Sequence, residues 1–278
     1  MIPRPEPQLA TRLATFVGSP VALDELKRKP GRRRTVRARG PEGSVIVKQY
    51  VSTRAPTVAA RLHALAGGPA QPKIPRVLLL DAEAHLLVLE DLPGEPLRTA
   101  LLAGDTATTA TAGESIGGWH RFWSDAPVPV GALQPHPAER EIAVLGERLM
   151  TAENAVADAA RSRLTALGTT VWDCSTAIHR DLYEEQILFG ESTGLIDLDD
   201  SAIGPPELDV GNVLAHVRLL GLRSGRDLDP MVEAFLDGYV RTGPPLAREL
   251  LERCLVLSLL RLACIHGELA LVHLADCA

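Results

Sequence analysis

The chain has 278 residues, a formal charge of −6, 46% hydrophobic residues and 4% aromatic residues. That composition supports a sizeable core of Leu, Val and Ala and argues against a disordered chain. The acidic balance argues against a nucleic-acid binder, which would carry a basic face. Cys174, Cys254, Cys264 and Cys277 show neither a CxxC pair nor zinc spacing, and read as thiols in a reducing cytosol.

The start, Met1 to Pro7, lacks the apolar stretch of a signal peptide. A short helix is predicted around Gln8 to Phe16. Lys29-Pro30-Gly31 and Gly40-Pro41-Glu42-Gly43 are turn signals, and Val36 to Arg39 with Ser44 to Tyr50 should pair as a hairpin across the second. Val58, Leu62 and Leu65 recur at the spacing of one helical face, and Gly67-Gly68-Pro69 ends that helix. Val77 to Leu80 and His85 to Leu89 are two further strands. Leu92 to Leu97 reads as a linker.

Helical patterns follow over 107–123, 137–166, 209–221, 230–239 and 246–274, interrupted by short strands at 187–189 and 194–198. The most apolar late stretch, Cys254 to Ala275, is broken by Arg261, His266 and Glu268. That pattern suits a buried helix better than a membrane span. A cytoplasmic protein without a membrane partner is expected. The strand-rich first third and helix-rich remainder predict an α+β fold of two lobes, 1–92 and 93–278.

The chemistry-bearing stretch is His179-Arg180-Asp181-Leu182-Tyr183-Glu184-Glu185-Gln186, followed by Leu195-Ile196-Asp197-Leu198-Asp199-Asp200. Strands at 187–189 and 195–197 could pair as a hairpin, putting Asp181, Gln186 and Asp197 at one end of the same unit. Phosphoryl transfer from a nucleotide needs such a set: a carboxylate to orient a hydroxyl and accept its proton, and oxygen ligands for magnesium. The stretch resembles the catalytic and metal-binding loops of the aminoglycoside phosphotransferase family, with its choline kinase-like members, small-molecule relatives of protein kinases.

The resemblance implies a bilobal protein-kinase-like fold, with a small β-rich N-lobe binding nucleotide and a larger helical C-lobe carrying catalysis and the acceptor. It implies transfer of the γ-phosphoryl group of ATP or GTP, with Mg2+, to a small-molecule hydroxyl. Asp181 takes the role of base, Gln186 and Asp197 those of metal ligands, and Lys48 contacts the α- and β-phosphates. Glu90 and Leu92 lie in the hinge segment that reads adenine through its backbone. His179 packs under the loop, and Asp209 braces it by accepting backbone N–H groups. The arginines Arg32-Arg33-Arg34 read either as a solvated hairpin edge or as an attraction for phosphates.

Two departures stand out. Gln186 replaces the family's asparagine with a side chain one methylene longer. The helix that should carry the glutamate partner of Lys48 has Val58 at that position. The run of Asp197, Asp199 and Asp200 needs a cation to offset repulsion. Glu184, Glu185, Asp199 and Asp200 near Asp181, with Asp227, Asp229, Glu233 and Asp237 on later helices, favour an amine-bearing acceptor. Two other readings stay open: a kinase for Ser or Thr of a small peptide, and a pseudokinase that binds without transferring phosphate.

Overall fold

The computed structural model describes residues 6–129 and 131–276. Cys277 lies outside them. The chain divides into two compact units, Met1–Gly67 with Ile74–Pro93, and Gly68–Lys73 with Gly94–Ala278.

The first unit is an antiparallel sheet with two helices. Helix α1 (Glu6–Val17) is followed by β1 (Ala22–Lys29), β2 (Arg33–Gly40), β3 (Gly43–Tyr50), α2 (Ala55–Leu65), β4 (Val77–Asp81) and β5 (Leu86–Glu90). The sheet order is β1-β2-β3-β5-β4. Alternation along β3 turns Val45 and Val47 to one face, where they join Val36, Ala38, Leu86 and Val88 against Leu9, Leu13 and Val17 of α1. The tight turn at Pro41-Glu42 sets the β2–β3 register, with Gly40 opposite Gly43. Gly40 cannot carry a side chain: a Cβ there would meet the Val17 carbonyl oxygen at 2.1 Å.

The second unit is mostly helical. Segment Glu95–Pro96 (β6), predicted as linker, instead pairs with β8 (Ile187–Phe189), which pairs with β9 (Gly194–Leu195). A second ribbon joins β7 (Thr176–Ile178) to β10 (Ala202–Gly204). The helices are α3 (Leu97–Ala103), α4 (Thr106–Asp125), α5 (Ala138–Leu149), α6 (Asn154–Leu167), α7 (Pro206–Ser224), α8 (Asp229–Thr242), α9 (Arg248–His266) and α10 (Leu269–Asp276). Helix α4 packs on α8, and α7 packs on α9.

Two predicted long helices are each divided. The 137–166 pattern breaks after Leu149, where the Thr151 hydroxyl donates to the Arg148 carbonyl and competes with the helix. The 246–274 pattern breaks at Gly267, a left-handed cap (φ 70°) whose N–H donates to the Ala263 carbonyl. The predicted strand at 194–198 stops at Leu195, and Leu198–Asp200 forms a 3-10 turn. No helix among the described residues is long and apolar enough to cross a membrane.

Candidate active site

The β7–β10 ribbon brackets two loops, 179–186 and 196–201. Asp209, fully buried in the first turns of α7, clamps the first. Its Oδ2 accepts the His179 N–H at 2.6 Å and its Oδ1 accepts the Arg180 N–H at 2.7 Å. On the other side the Asp209 carboxylate meets His120 Nε2 at 3.2 Å, and His120 Nδ1 meets the Tyr239 hydroxyl at 3.0 Å. Asp209 therefore joins α4, α7 and α8 to the loop, and capping its own helix is not its role. The relay is dry: burial pushes the Tyr239 hydroxyl strongly up.

The rest of the loop is tied through side chains to backbone. His179 Nε2 donates to the Ile196 carbonyl at 2.9 Å, joining the two loops. Asn212 on α7 donates to the Leu182 carbonyl at 2.6 Å. Arg180 holds φ 70°, a left-handed conformation that a non-glycine residue keeps only when its surroundings enforce it. Asp181 is left partly open, its side chain 31% exposed.

Gln186 and Asp197 come together through backbone pairing. The Gln186 carbonyl accepts the Ile196 N–H at 3.0 Å, and Ile187 opposes Leu195 one step along the ribbon. Asp197 follows at φ 63°, the third non-glycine residue of the described chain with a positive φ. Gln186 is buried, yet its Oε1 has no hydrogen-bond partner. Such an acceptor costs about 1–3 kcal/mol unless something outside the protein's own groups satisfies it. A neutral amide oxygen and a carboxylate are both hard oxygen donors of the kind magnesium takes. Among the described residues no group of three His, Cys, Asp or Glu side chains is placed to cage a metal.

The acids assigned to an acceptor differ in access. Asp199 and Glu184 are buried, Asp200 half-buried. Glu184 lies between Arg98 (3.9 Å) and His216 (3.7 Å), without a hydrogen bond to its Oε2. Burial, with the Glu185 charge behind it, pushes the Glu184 carboxyl above its ordinary range. His216 stacks on Tyr183, with ring centroids 4.6 Å apart, and burial lowers its pKa to about 3. Glu185 is more open and pairs with Arg98 at 3.5 Å.

A set of groups that sequence reasoning did not single out surrounds Asp181. Arg261 of α9 places Nη1 3.7 Å from Asp181 Oδ1 and Nε 3.7 Å from Glu141 Oε1 of α5, and Nη2 donates to Asn212 Oδ1. Arg180 reaches the same Glu141 at 3.7 Å, and His136 Nε2 donates to it at 2.9 Å. Burial alone would raise the Glu141 carboxyl. The His136 hydrogen bond and the charges of Arg261 and Arg180 outweigh it and hold the pKa at about 2.

In the first unit, Lys48 sits mid-sheet on β3, opposite Thr35 of β2 and Leu87 of β5. It lies on the face away from α1 and is buried, with 5% exposure. Val58 of α2 is fully buried, so the helix position expected to hold an acid is part of the core. Glu90 spends its side chain on Arg76, Oε2 to Nε 3.0 Å, and Asp91 accepts from Ser44 at 2.6 Å. The side chains of this segment are thus engaged within the sheet. Leu92 is buried.

The sequence matches the phosphotransferase enzyme family (APH) over residues 30–250, and the chain belongs to that family. Solved structures share its protein-kinase-like fold. Amicoumacin kinase hAmiN, determined with AMP-PNP, Ca2+ and Ami, matches with TM-score 0.69 and 16% identity over 94% of this chain and 86% of that one. A choline/ethanolamine kinase family protein from Mesorhizobium loti matches with TM-score 0.63 and 18% identity over 98% and 87%. Macrolide 2'-phosphotransferase type I matches with TM-score 0.64 and 14% identity over 100% and 98%. Among curated proteins none matches the sequence.

Proposed function

We propose that this phosphotransferase-family protein moves the γ-phosphoryl group of ATP or GTP to a hydroxyl of a small, amine-bearing molecule. The sheet unit would bind nucleotide, and the helical unit would carry catalysis and the acceptor. The observation that carries the reading is the bracing by Asp209 of the loop that holds Asp181, together with the backbone bond that joins this loop at Gln186 to Ile196, next to Asp197.

Asp181 would orient the acceptor hydroxyl and take its proton as the new P–O bond forms and the bond to the β-phosphate oxygen breaks. Its partial exposure leaves room for that hydroxyl. Gln186 Oε1 and Asp197 would hold magnesium, which when bound supplies charge neutralisation at the phosphate oxygens. Lys48, buried on its strand, would present its ammonium to phosphates. The backbone of the Glu90–Leu92 segment would read the base. Little covalent work falls to the protein in such a transfer, so positioning and fixed charge supply the acceleration.

The ammonium of the acceptor would meet Asp200 first, because Asp199 and Glu184 are buried and would act as the charge behind it. The neighbour solved with AMP-PNP, Ca2+ and Ami makes a nucleotide, a divalent ion and a small-molecule acceptor a consistent set.

The test is incubation with ATP or GTP, magnesium and a panel of amine-bearing alcohols and amino sugars, with phosphate esters detected by mass spectrometry. The reading requires an ester that vanishes in Asp181→Asn. Nucleotide turnover that persists in that variant would refute the assignment of Asp181.

A further inference from the structure

We propose that Arg261, on α9 and beyond the 30–250 family match, is a positioning residue for Asp181. The inference rests on the reading of Asp181 as the group that orients the acceptor.

A guanidinium with 8% exposure is costly unless its charge and its donors are met. Here the compensation is divided. Nε faces Glu141, Nη2 is bonded to Asn212 Oδ1, and Nη1 faces Asp181 Oδ1. Arg180 and His136 already serve Glu141, so neutralising that acid does not by itself require a second arginine. Two guanidiniums, Arg180 and Arg261, face two carboxylates, Glu141 and Asp181. The cluster is balanced with Asp181 as carboxylate. At 3.7 Å the contact is an ion pair that draws Oδ1 toward Arg261, and Asp181 Oδ2 is left for the acceptor hydroxyl.

The helix packing makes this placement firm. At Gly211 of α7 a Cβ would lie 2.8 Å from the Leu255 backbone nitrogen of α9, so the two backbones are in close contact there. The next residue, Asn212, donates to the Leu182 carbonyl and accepts from Arg261. One amide thus ties the loop of Asp181 and the guanidinium that faces it to the same point on α7.

The experiment compares the full-length protein with Asp181→Asn, Arg261→Gln, Arg261→Lys and the double variant Arg261→Gln/Glu141→Gln. Orthophosphate release from ATP or GTP with magnesium is followed, water standing in as acceptor, alongside nucleotide affinity by calorimetry and thermal midpoints. A displaced catalytic group of this kind costs up to about 100-fold in rate. Arg261→Gln should lose about 10- to 100-fold in turnover with nucleotide affinity within about 2-fold, and Arg261→Lys should recover part of it. The double variant removes Glu141 together with Arg261, so the only carboxylate left for Arg261 to have served is Asp181, and it should stay as slow as Arg261→Gln.

Parental turnover in Arg261→Gln while Asp181→Asn is inactive would overturn the inference and leave the reading of Asp181 standing. Full recovery in the double variant would also overturn it, because Arg261 would then act only by neutralising Glu141. Activity in Asp181→Asn would remove the reading and the inference together.

Discussion

The Asp209 carboxylate accepts the Arg180 backbone N–H at 2.7 Å, and Arg180 holds a left-handed φ of 70°. The bond and the strained backbone belong together: the acceptor holds that amide turned toward α7. Each buried donor left unmet costs about 1–3 kcal/mol. Asp209→Ala abandons the His179 and Arg180 amides and should lose about 3–5 kcal/mol in denaturant unfolding. Asp209→Asn keeps one carbonyl acceptor and should lose less. A loss under about 1 kcal/mol for the alanine variant would contradict the brace.

Gln186 Oε1 is a buried acceptor without a partner, which separates its effect on stability from its effect on binding. Gln186→Leu preserves the approximate shape and removes an unmet polar atom, so stability should hold or rise. Magnesium should then strengthen nucleotide binding less than it does in the parent. Melting curves and calorimetry with and without magnesium check both halves. An unchanged magnesium effect would exclude Gln186 as a ligand.

His216 supplies a pH dependence. In the unfolded chain it protonates near 6.5, whereas in the folded protein burial holds its pKa at about 3. The unfolded state therefore binds more protons between these values, and stability falls as pH drops from about 6.5 toward 3. Glu184 acts oppositely: its raised carboxyl favours the folded state at low pH, and that contribution is lost as pH rises. His216→Phe keeps a ring against Tyr183 and removes the titration. Between pH 7.5 and 5.5 the variant should lose about 1 kcal/mol less than the parent, read from denaturant midpoints. Equal losses would refute the assignment.

Glycine at 238 is a packing requirement. A Cβ there would sit 1.9 Å from the Ala110 carbonyl oxygen, and one at Gly113 would sit 2.1 Å from that of Phe235. Both obstacles are backbone, so α4 and α8 would have to part. Gly238→Ala should cost at least about 1–3 kcal/mol and loosen the neighbouring Tyr239–His120 contact. Gly118→Ala, with nothing within 4 Å of its Cβ, should be neutral or stabilising by about 0.5–1 kcal/mol. Equal costs at the two positions would refute the close approach.

Local pattern made much of the first unit legible. The β2–β3 hairpin, the strands at 77–81 and 86–90 and the apolar face of α2 all follow from alternation, helical spacing and turn residues. The motif run 179–200 also announced the family. The surroundings of Asp181 were not legible. Arg261 comes to Asp181 from α9, Glu141 comes to Arg261 from α5, and His136 comes to Glu141 from the segment just ahead of α5; no local period relates them. Arg261 shows in the sequence only as a charge interrupting an apolar run, and that interruption was the available signal. The divided helices have a similar cause: the break after Leu149 goes with one side-chain bond of Thr151 and the break at Gly267 with one backbone cap, inside otherwise helical composition.

The central claim is a magnesium-dependent nucleotide site that serves phosphoryl transfer. Its most direct measurement is calorimetric titration of the full-length protein with ATP and with GTP, each with and without magnesium. The account predicts micromolar binding of one or both, tightened by magnesium. No binding of either nucleotide in the presence of magnesium would contradict it.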